Sequence, residues 1–215
     1  MAPQTDYRQQ LIDALIRRLY DLSEESLAQL STYISFLKWQ EEQWRSIVGD
    51  ADRPDLEVVW QYDFIEHFDE ASKAGTLTEQ GMEIKVGPAQ CGMVQKMALW
   101  QHPPLKGEAV VEYQPTIPAD VEILQLRFAI GVRDGAILSE DNPVGFRIRL
   151  NGRRIWSRVK HTNAWEYFTV DLPTLSGTTP TIQFITDALG VHHWKWAVWG
   201  EPQLLGLVER EDTES

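Results

Sequence analysis

A chain of 215 residues is long enough for one large domain, or for one domain and a small appendage, and its formal net charge of −12 disfavours nonspecific binding to nucleic acid or anionic membranes through the whole surface. The single cysteine, Cys91, excludes an intrachain disulfide and any multi-cysteine zinc site. Apolar residues make up 43% of the chain, an ordinary share for a folded protein, and nine tryptophans can bury a large area.

The N-terminal stretch "MAPQTDYRQQLIDALIRRLY" is interrupted by charges and lacks the continuous apolar core of a signal peptide. No run approaches the roughly 18 apolar residues of a membrane span. A cytoplasmic location is therefore the expectation.

Residues 1–49 are expected to form an α-helical hairpin. Ile12, Leu15, Leu19 and Leu22 recur at steps of three and four. "DLSEES" then breaks the pattern, with Ser23 placed to cap a second helix and Glu24 and Glu25 at its positive end. In that helix Leu27, Leu30, Ile34, Leu37, Glu41, Trp44 and Val48 alternate by three and four, a heptad seam with one polar interruption. Such a stripe needs a partner. Either the body of the same chain covers it, or another chain does, through self-association or docking.

Residues 50–56 read as a polar linker. From there the period changes to two. Val58, Trp60, Tyr62 and Phe64 alternate with other residues, as do Leu124, Leu126, Phe128 and Ile130. The same holds for Val144, Phe146, Ile148 and Leu150, and for Phe168, Val170 and Leu172. Each run predicts a half-buried strand. Turn signals such as "HPP", "DNP", "NG" and "SGTTP" separate them. About eight to ten short strands over residues 57–208 are expected, as in an antiparallel sandwich. Residues 209–215 form a charged tail.

Between Asn142 and Trp165 there is no Asp or Glu, yet the window holds Arg147, Arg149, Arg153, Arg154, Arg158 and Lys160. "Leu150-Asn151-Gly152-Arg153" reads as a two-residue type I′ hairpin. That turn would set 149 opposite 154, 148 opposite 155, 147 opposite 156 and 145 opposite 158. Arg147, Arg149, Arg154, Trp156 and Arg158 would then share the outward face, with Arg147 across from Trp156 as a cation–π pair. Two readings stand. One is a cationic, aromatic face for an anionic ligand: an acidic glycan, a phosphate or an acidic protein segment. The other is a solvated face whose arginines pair with the chain's own carboxylates, for instance those of the acidic helices.

Toward the C-terminus lies "HHWKWAVWGEP", residues 192–202. On a strand, Trp194, Trp196 and Val198 would share an apolar, core-facing side, and His193, Lys195, Ala197 and Trp199 the other. His192, His193 and Trp194 sit where a loop enters this strand, and an exposed indole there could stack on a sugar. Adjacent histidines on a strand point apart, and with no third ligand in view no metal site is assigned.

Taken together, "LWQHPP" (99–104), "VGFRIRLNGRRIW" (144–156), "AWEYFTVDLPTLSG" (164–177), "IQFITDALG" (182–190) and "WAVWGEPQLL" (196–205) resemble bacterial jelly-roll domains of the galactose-binding-like and NPCBM-type carbohydrate-binding families. The resemblance spans residues 57–208 and leaves the helices outside. It implies a mainly β fold, an antiparallel jelly-roll β-sandwich, whose edge loops in some members bind sugars. This chain departs from the pattern in two places. Lys195 stands where such domains often carry an acidic residue, and Asn142-Pro143-Val144-Gly145 replaces an Asp-Gly. Both departures weaken a transferred structural calcium site, so no cofactor is expected.

No nucleophile elbow, P-loop, Rossmann glycine pattern or HExxH pair is present. The carboxylates of "FIEHFDEASKAG" and "LSEDNP" read as solvated loops. Cys91, among apolar neighbours, reads as a buried structural thiol. The sequence thus points to a non-catalytic ligand-binding sandwich, most plausibly for carbohydrate, with Arg147, Arg149, Arg154, Trp156, Arg158, His192, His193 and Trp194 as candidate contacts. The alternative is a structural or assembly module that oligomerises or docks through its N-terminal helices.

Overall fold

The structure is a computed structural model that describes residues 56–75, 83–104, 106–136, 138, 142–190 and 195–209, together with 19, 20, 22, 23, 26, 27 and 30. The chain divides into two compact units, residues 1–46 and 47–215. In the first unit, the helical hairpin expected over 1–49 lies outside the described residues except around its turn. There Leu19 is helical, the chain bends at Leu22, and Ser26, Leu27 and Leu30 are helical again. The Ser23 hydroxyl accepts the Ser26 N–H at 3.2 Å, which satisfies one of the orphan donors at that helix start. The heptad seam beyond Leu30 and the linker before Leu56 lie outside the described residues, as does the tail beyond Glu209.

The second unit holds eleven described strands: β1 (Leu56–Asp63), β2 (Ser72–Ala74), β3 (Lys85–Cys91), β4 (Val94–Trp100), β5 (Glu108–Tyr113), β6 (Ile123–Val132), β7 (Val144–Leu150), β8 (Arg153–Lys160), β9 (Glu166–Leu172), β10 (Ile182–Asp187) and β11 (Ala197–Glu209). They form two antiparallel sheets. One runs β3-β4-β11-β6-β9, with β1 also paired to β11, and the other runs β2-β5-β10-β7-β8. From β4 to β7 and again from β8 to β11, each successive strand crosses to the opposite sheet. No described helix is long and apolar enough to cross a membrane.

Period-two patterning explains the core. Leu124, Leu126, Phe128 and Ile130 of β6 and Val144, Phe146 and Ile148 of β7 are at most 1% exposed, and they meet between the sheets. Each large side chain buried this way contributes about 1.5–3 kcal/mol. Trp199 of β11 lies at the centre. Its ring stands 5.0 Å from Phe184, 5.1 Å from Phe146 and 5.5 Å from Phe128, all edge-on. Its Nε1–H donates to the Gln101 side-chain oxygen at 2.8 Å, and the Gln101 amide donates to the carbonyls of Ala109 and Phe184.

This corrects the expected facing of the last strand. Trp199 and Ala197 face the intersheet core, while Val198 belongs to a second cluster on the outer side of the same sheet, with Ala89, Cys91, Ala98, Ala129 and Trp165. The strand begins at Ala197, so His193 and Lys195 do not mark one of its faces as polar. Its start is apolar on both faces because both are covered. Trp165 supplies the outer cover. A Cβ added at Gly131 or Gly200 would come within 2.8 Å of its ring, so only glycine admits the indole there.

Cys91 is 1% exposed in this second cluster, and burial pushes its thiol up to about 12, with the charge of Asp134 adding to the effect. The native chain should therefore be inert to a disulfide reagent at pH 8 over minutes and react at once when unfolded in guanidinium. Rapid native labelling would show that the outer cluster opens.

Candidate functional site

The basic hairpin forms as a turn but not in the expected register. Asn151 at φ 49° and Gly152 at φ 78° are the two left-handed residues that a type I′ turn requires. Leu150 pairs with Arg153 and Arg149 with Arg154, as the turn dictates. A bulge then intervenes at Ile155. Beyond it Ile148 pairs with Trp156, Arg147 with Ser157, and Phe146 with Arg158. A slip of one residue turns every later side chain to the opposite face.

Trp156 is therefore not on the outward face. It turns inward, 4.7 Å from Phe168 and 4.8 Å from Phe128 between ring centroids. Ile155 and Trp156 both pack on the core, and this shared burial is what the bulge provides. The expected Arg147–Trp156 cation–π pair is absent, and Arg147 donates instead to Glu108 at 2.7 Å and Asp187 at 3.0 Å.

Most of the basic island is neutralised from within the sandwich. Arg149 joins Glu108 at 3.0 Å, Arg158 joins Glu166 at 3.1 Å, and the fully buried Lys160 joins Glu166 at 2.8 Å. The carboxylates come from β5, β9 and β10, the strands packed around the hairpin.

Arg153 and Arg154 differ. Both are exposed, and among the described residues neither makes an ion pair or a side-chain hydrogen bond. They open onto a groove of about 620 Å³ between the start of β8 and the end of β9. One wall carries Asn151, Arg153, Arg154 and Ile155. The other carries Val170, Asp171, Leu172 and Pro173. Asn151 and Asp171 are held in place: the Asn151 side-chain oxygen accepts the Thr181 N–H at 2.9 Å, and Asp171 accepts the Gln125 amide at 2.8 Å. A second depression, of about 240 Å³, lies against Arg147, Arg154, Arg158 and Leu189. Arg154 lines both.

The sequence placed Arg154 among the candidates but not Arg153. The signal for Arg153 was its position beside the turn, where the paired strands end.

His192, His193 and Trp194 lie outside the described residues. The adjacent Lys195 is fully buried, and its ammonium donates to the Pro143 carbonyl at 2.7 Å and to the Ala188 carbonyl. Burial lowers its pKa, with the charge of Asp187 acting in the other direction. At this position the chain thus places its own cation against backbone oxygens. Among the described residues, no group of three or more His, Cys, Asp or Glu side chains is placed to hold a metal ion.

No protein-family model matches the sequence, and no curated protein does. Among solved structures, the chain is similar to carbohydrate-binding modules. One is the CBM51-2 and INT domains of Clostridium perfringens ZmpB in complex with GlcNAc, at 11% identity and a TM-score of 0.39, covering 64% of this chain and 28% of that one. Another is the CBM51 of Clostridium perfringens GH95 in complex with methyl-galactose, at 10% identity and a TM-score of 0.39, covering 69% and 94%. A third is a family 35 carbohydrate binding module from Clostridium thermocellum, at 11% identity and a TM-score of 0.41, covering 68% and 98%.

Proposed function

We propose that the sandwich is a non-catalytic module that binds a negatively charged carbohydrate in the groove between β8 and the end of β9. The observation that carries this reading is the pair Arg153 and Arg154. The other arginines of the hairpin are committed to carboxylates of the fold, and among the described residues these two are not. They stand at a tight turn, so little backbone freedom is lost when a ligand engages them. The groove volume of about 620 Å³ falls within the range of small-ligand sites. Its apolar positions, Ile155, Val170, Leu172 and Pro173, suit the C–H faces of a sugar ring, and Asn151 and Asp171 suit its hydroxyls. The choice of carbohydrate follows the sequence resemblance, and the choice of an anionic one follows the arginines.

The test is a glycan array probed with the full-length chain and with the Arg153→Ala/Arg154→Ala variant. Wild-type protein should retain glycans bearing uronic acid, sialic acid or sulfate. Each arginine removed should weaken binding about ten- to hundredfold, as expected for a lost charge-assisted hydrogen bond. Retention of neutral glycans alone, or binding that survives the double substitution, would overturn the reading.

A further inference from the structure

A second cation–aromatic cluster lies on the opposite sheet. Lys85 of β3 pairs directly with Trp100 of β4, Trp100 lies opposite Val198 of β11, and Val198 lies opposite Gly131 of β6. Trp196 immediately precedes β11 and Arg133 immediately follows β6, and the contacts of Arg133 with both Trp196 and Trp100 gather the four residues at this end of the sheet. The Arg133 N–H donates to the Trp196 carbonyl at 3.0 Å, which ties the two ends together.

The Arg133 guanidinium carbon lies 3.7 Å from the Trp100 ring centroid and 5.4 Å from that of Trp196, and the Lys85 ammonium lies 4.8 Å from Trp100. The guanidinium thus lies within cation–π range of two indoles. Arg133, Trp100 and Trp196 are each half-buried.

A half-buried cation in a chain of net charge −12 would ordinarily recruit a carboxylate. Among the described residues, neither Arg133 nor Lys85 makes an ion pair. The adjacent Asp134 is engaged elsewhere, accepting the N–H groups of Gly92 at 2.8 Å and Met93 at 3.2 Å. The Arg133 Nε is buried and has no hydrogen-bond partner among the described residues. Burial lowers the guanidinium's affinity for its proton, with Cys91 acting in the other direction, and among the described residues no carboxylate pairs with it.

We infer that Arg133, seated against Trp100 and Trp196 beside Lys85, is a second anion-binding site, one that takes the planar carboxylate of an acidic sugar with the sugar ring against the indoles. The flat, pre-oriented fork matches a carboxylate in two-point contact. The site shares no residue with the groove between β8 and β9 and does not depend on it.

The experiment is an NMR titration of the full-length, nitrogen-15-labelled chain. It follows the Arg133 Nε–H and the Trp100 and Trp196 indole N–H signals. The probes are sodium glucuronate, glucose, and sodium chloride at matched ionic strength. Glucuronate should give saturable shifts that glucose and chloride do not. The shifts should persist in Arg153→Ala/Arg154→Ala, vanish in Arg133→Met, and require roughly tenfold more glucuronate in Arg133→Lys, which keeps the charge but loses the fork. Absence of shifts, equal shifts with glucose, or unchanged affinity in Arg133→Lys would overturn the inference. The lysine variant also decides the matter should Arg133→Met fail to fold.

Discussion

Replacing Trp199 with alanine should cost about 3–5 kcal/mol, the usual range for an aromatic side chain removed from a closed core. Three rings on both sheets lean on this indole, so the neighbours cannot all collapse into the space it leaves. Removal also strips the Gln101 side-chain oxygen of its donor while the Gln101 amide stays fixed by Ala109 and Phe184. Trp199→Phe separates the two effects. It keeps most of the ring packing and loses only the hydrogen bond, at about 1–3 kcal/mol for a buried acceptor left unpaired. For a domain of this size the alanine variant should melt roughly 10–15 °C lower than wild type, and the phenylalanine variant should fall between. Thermal melts of the three proteins check this. An alanine variant that melts within about 2 °C of wild type would show that β11 does not close the core.

The second large effect is at Glu166. It bridges two cations at the open edge between the sheets, Lys160 at 2.8 Å and Arg158 at 3.1 Å. Lys160 is fully buried, and burial lowers its pKa despite the hydrogen bond and charge of Glu166. The nearby charge of Arg158 acts in the same direction as burial. Burial by itself would raise the Glu166 carboxyl, yet the hydrogen bond and charge of Lys160, and then those of Arg158, take it below the ordinary carboxylate value.

Glu166→Ala should lie near the lower end of the roughly 3–5 kcal/mol lost when one partner of a buried pair is removed, because the carboxylate retains some access to water. Lys160→Met combined with Glu166→Leu should recover most of that loss, since no charge is then stranded. The pH dependence follows from the sign of the shift. A carboxyl whose folded value is depressed contributes its stability above its unfolded value and loses it as pH falls through the folded one. Wild type should weaken toward acid below about pH 4.5, and Glu166→Gln should show less of that slope. A Glu166→Ala protein as stable as wild type would show that water, rather than Glu166, compensates Lys160.

β6, β7 and β9 were legible in the sequence because their large apolar side chains recur at every second residue, separated by polar or small ones such as Arg127, Ala129, Gly145, Arg147 and Thr169. The turn at Asn151-Gly152 was equally legible, since its two left-handed residues are a local requirement. β2 was not, because its three exposed residues, Ser72 to Ala74, carry no apolar period. The bulge on β8 was hidden for a related reason. Ile155 and Trp156 are adjacent and both apolar, so alternation alone cannot tell which of them faces Ile148.

Trp199 was assigned to the wrong face because its strand starts with two covered sides and is preceded by polar residues that lie outside it. Glu166, the partner of Arg158 and Lys160, stands only eight and six residues away, but the partners of Arg147 lay beyond local reading. Glu108 and Asp187 stand some forty residues from Arg147 along the chain, and β5 and β10 bring them beside it. The Arg133 cluster is assembled in the same way, from four strand ends that are distant in sequence.

The measurement that bears most directly on the groove is an arginine side-chain NMR titration of the full-length chain with an acidic oligosaccharide, oligogalacturonate, beside its neutral galactose counterpart. The Arg153 and Arg154 Nε–H signals should shift saturably with the acidic sugar and weaken with added salt, while those of Arg147 and Arg149, already committed to Glu108, stay in place. Silent Arg153 and Arg154 signals, or the same shifts with the neutral sugar, would contradict an anionic carbohydrate in this groove.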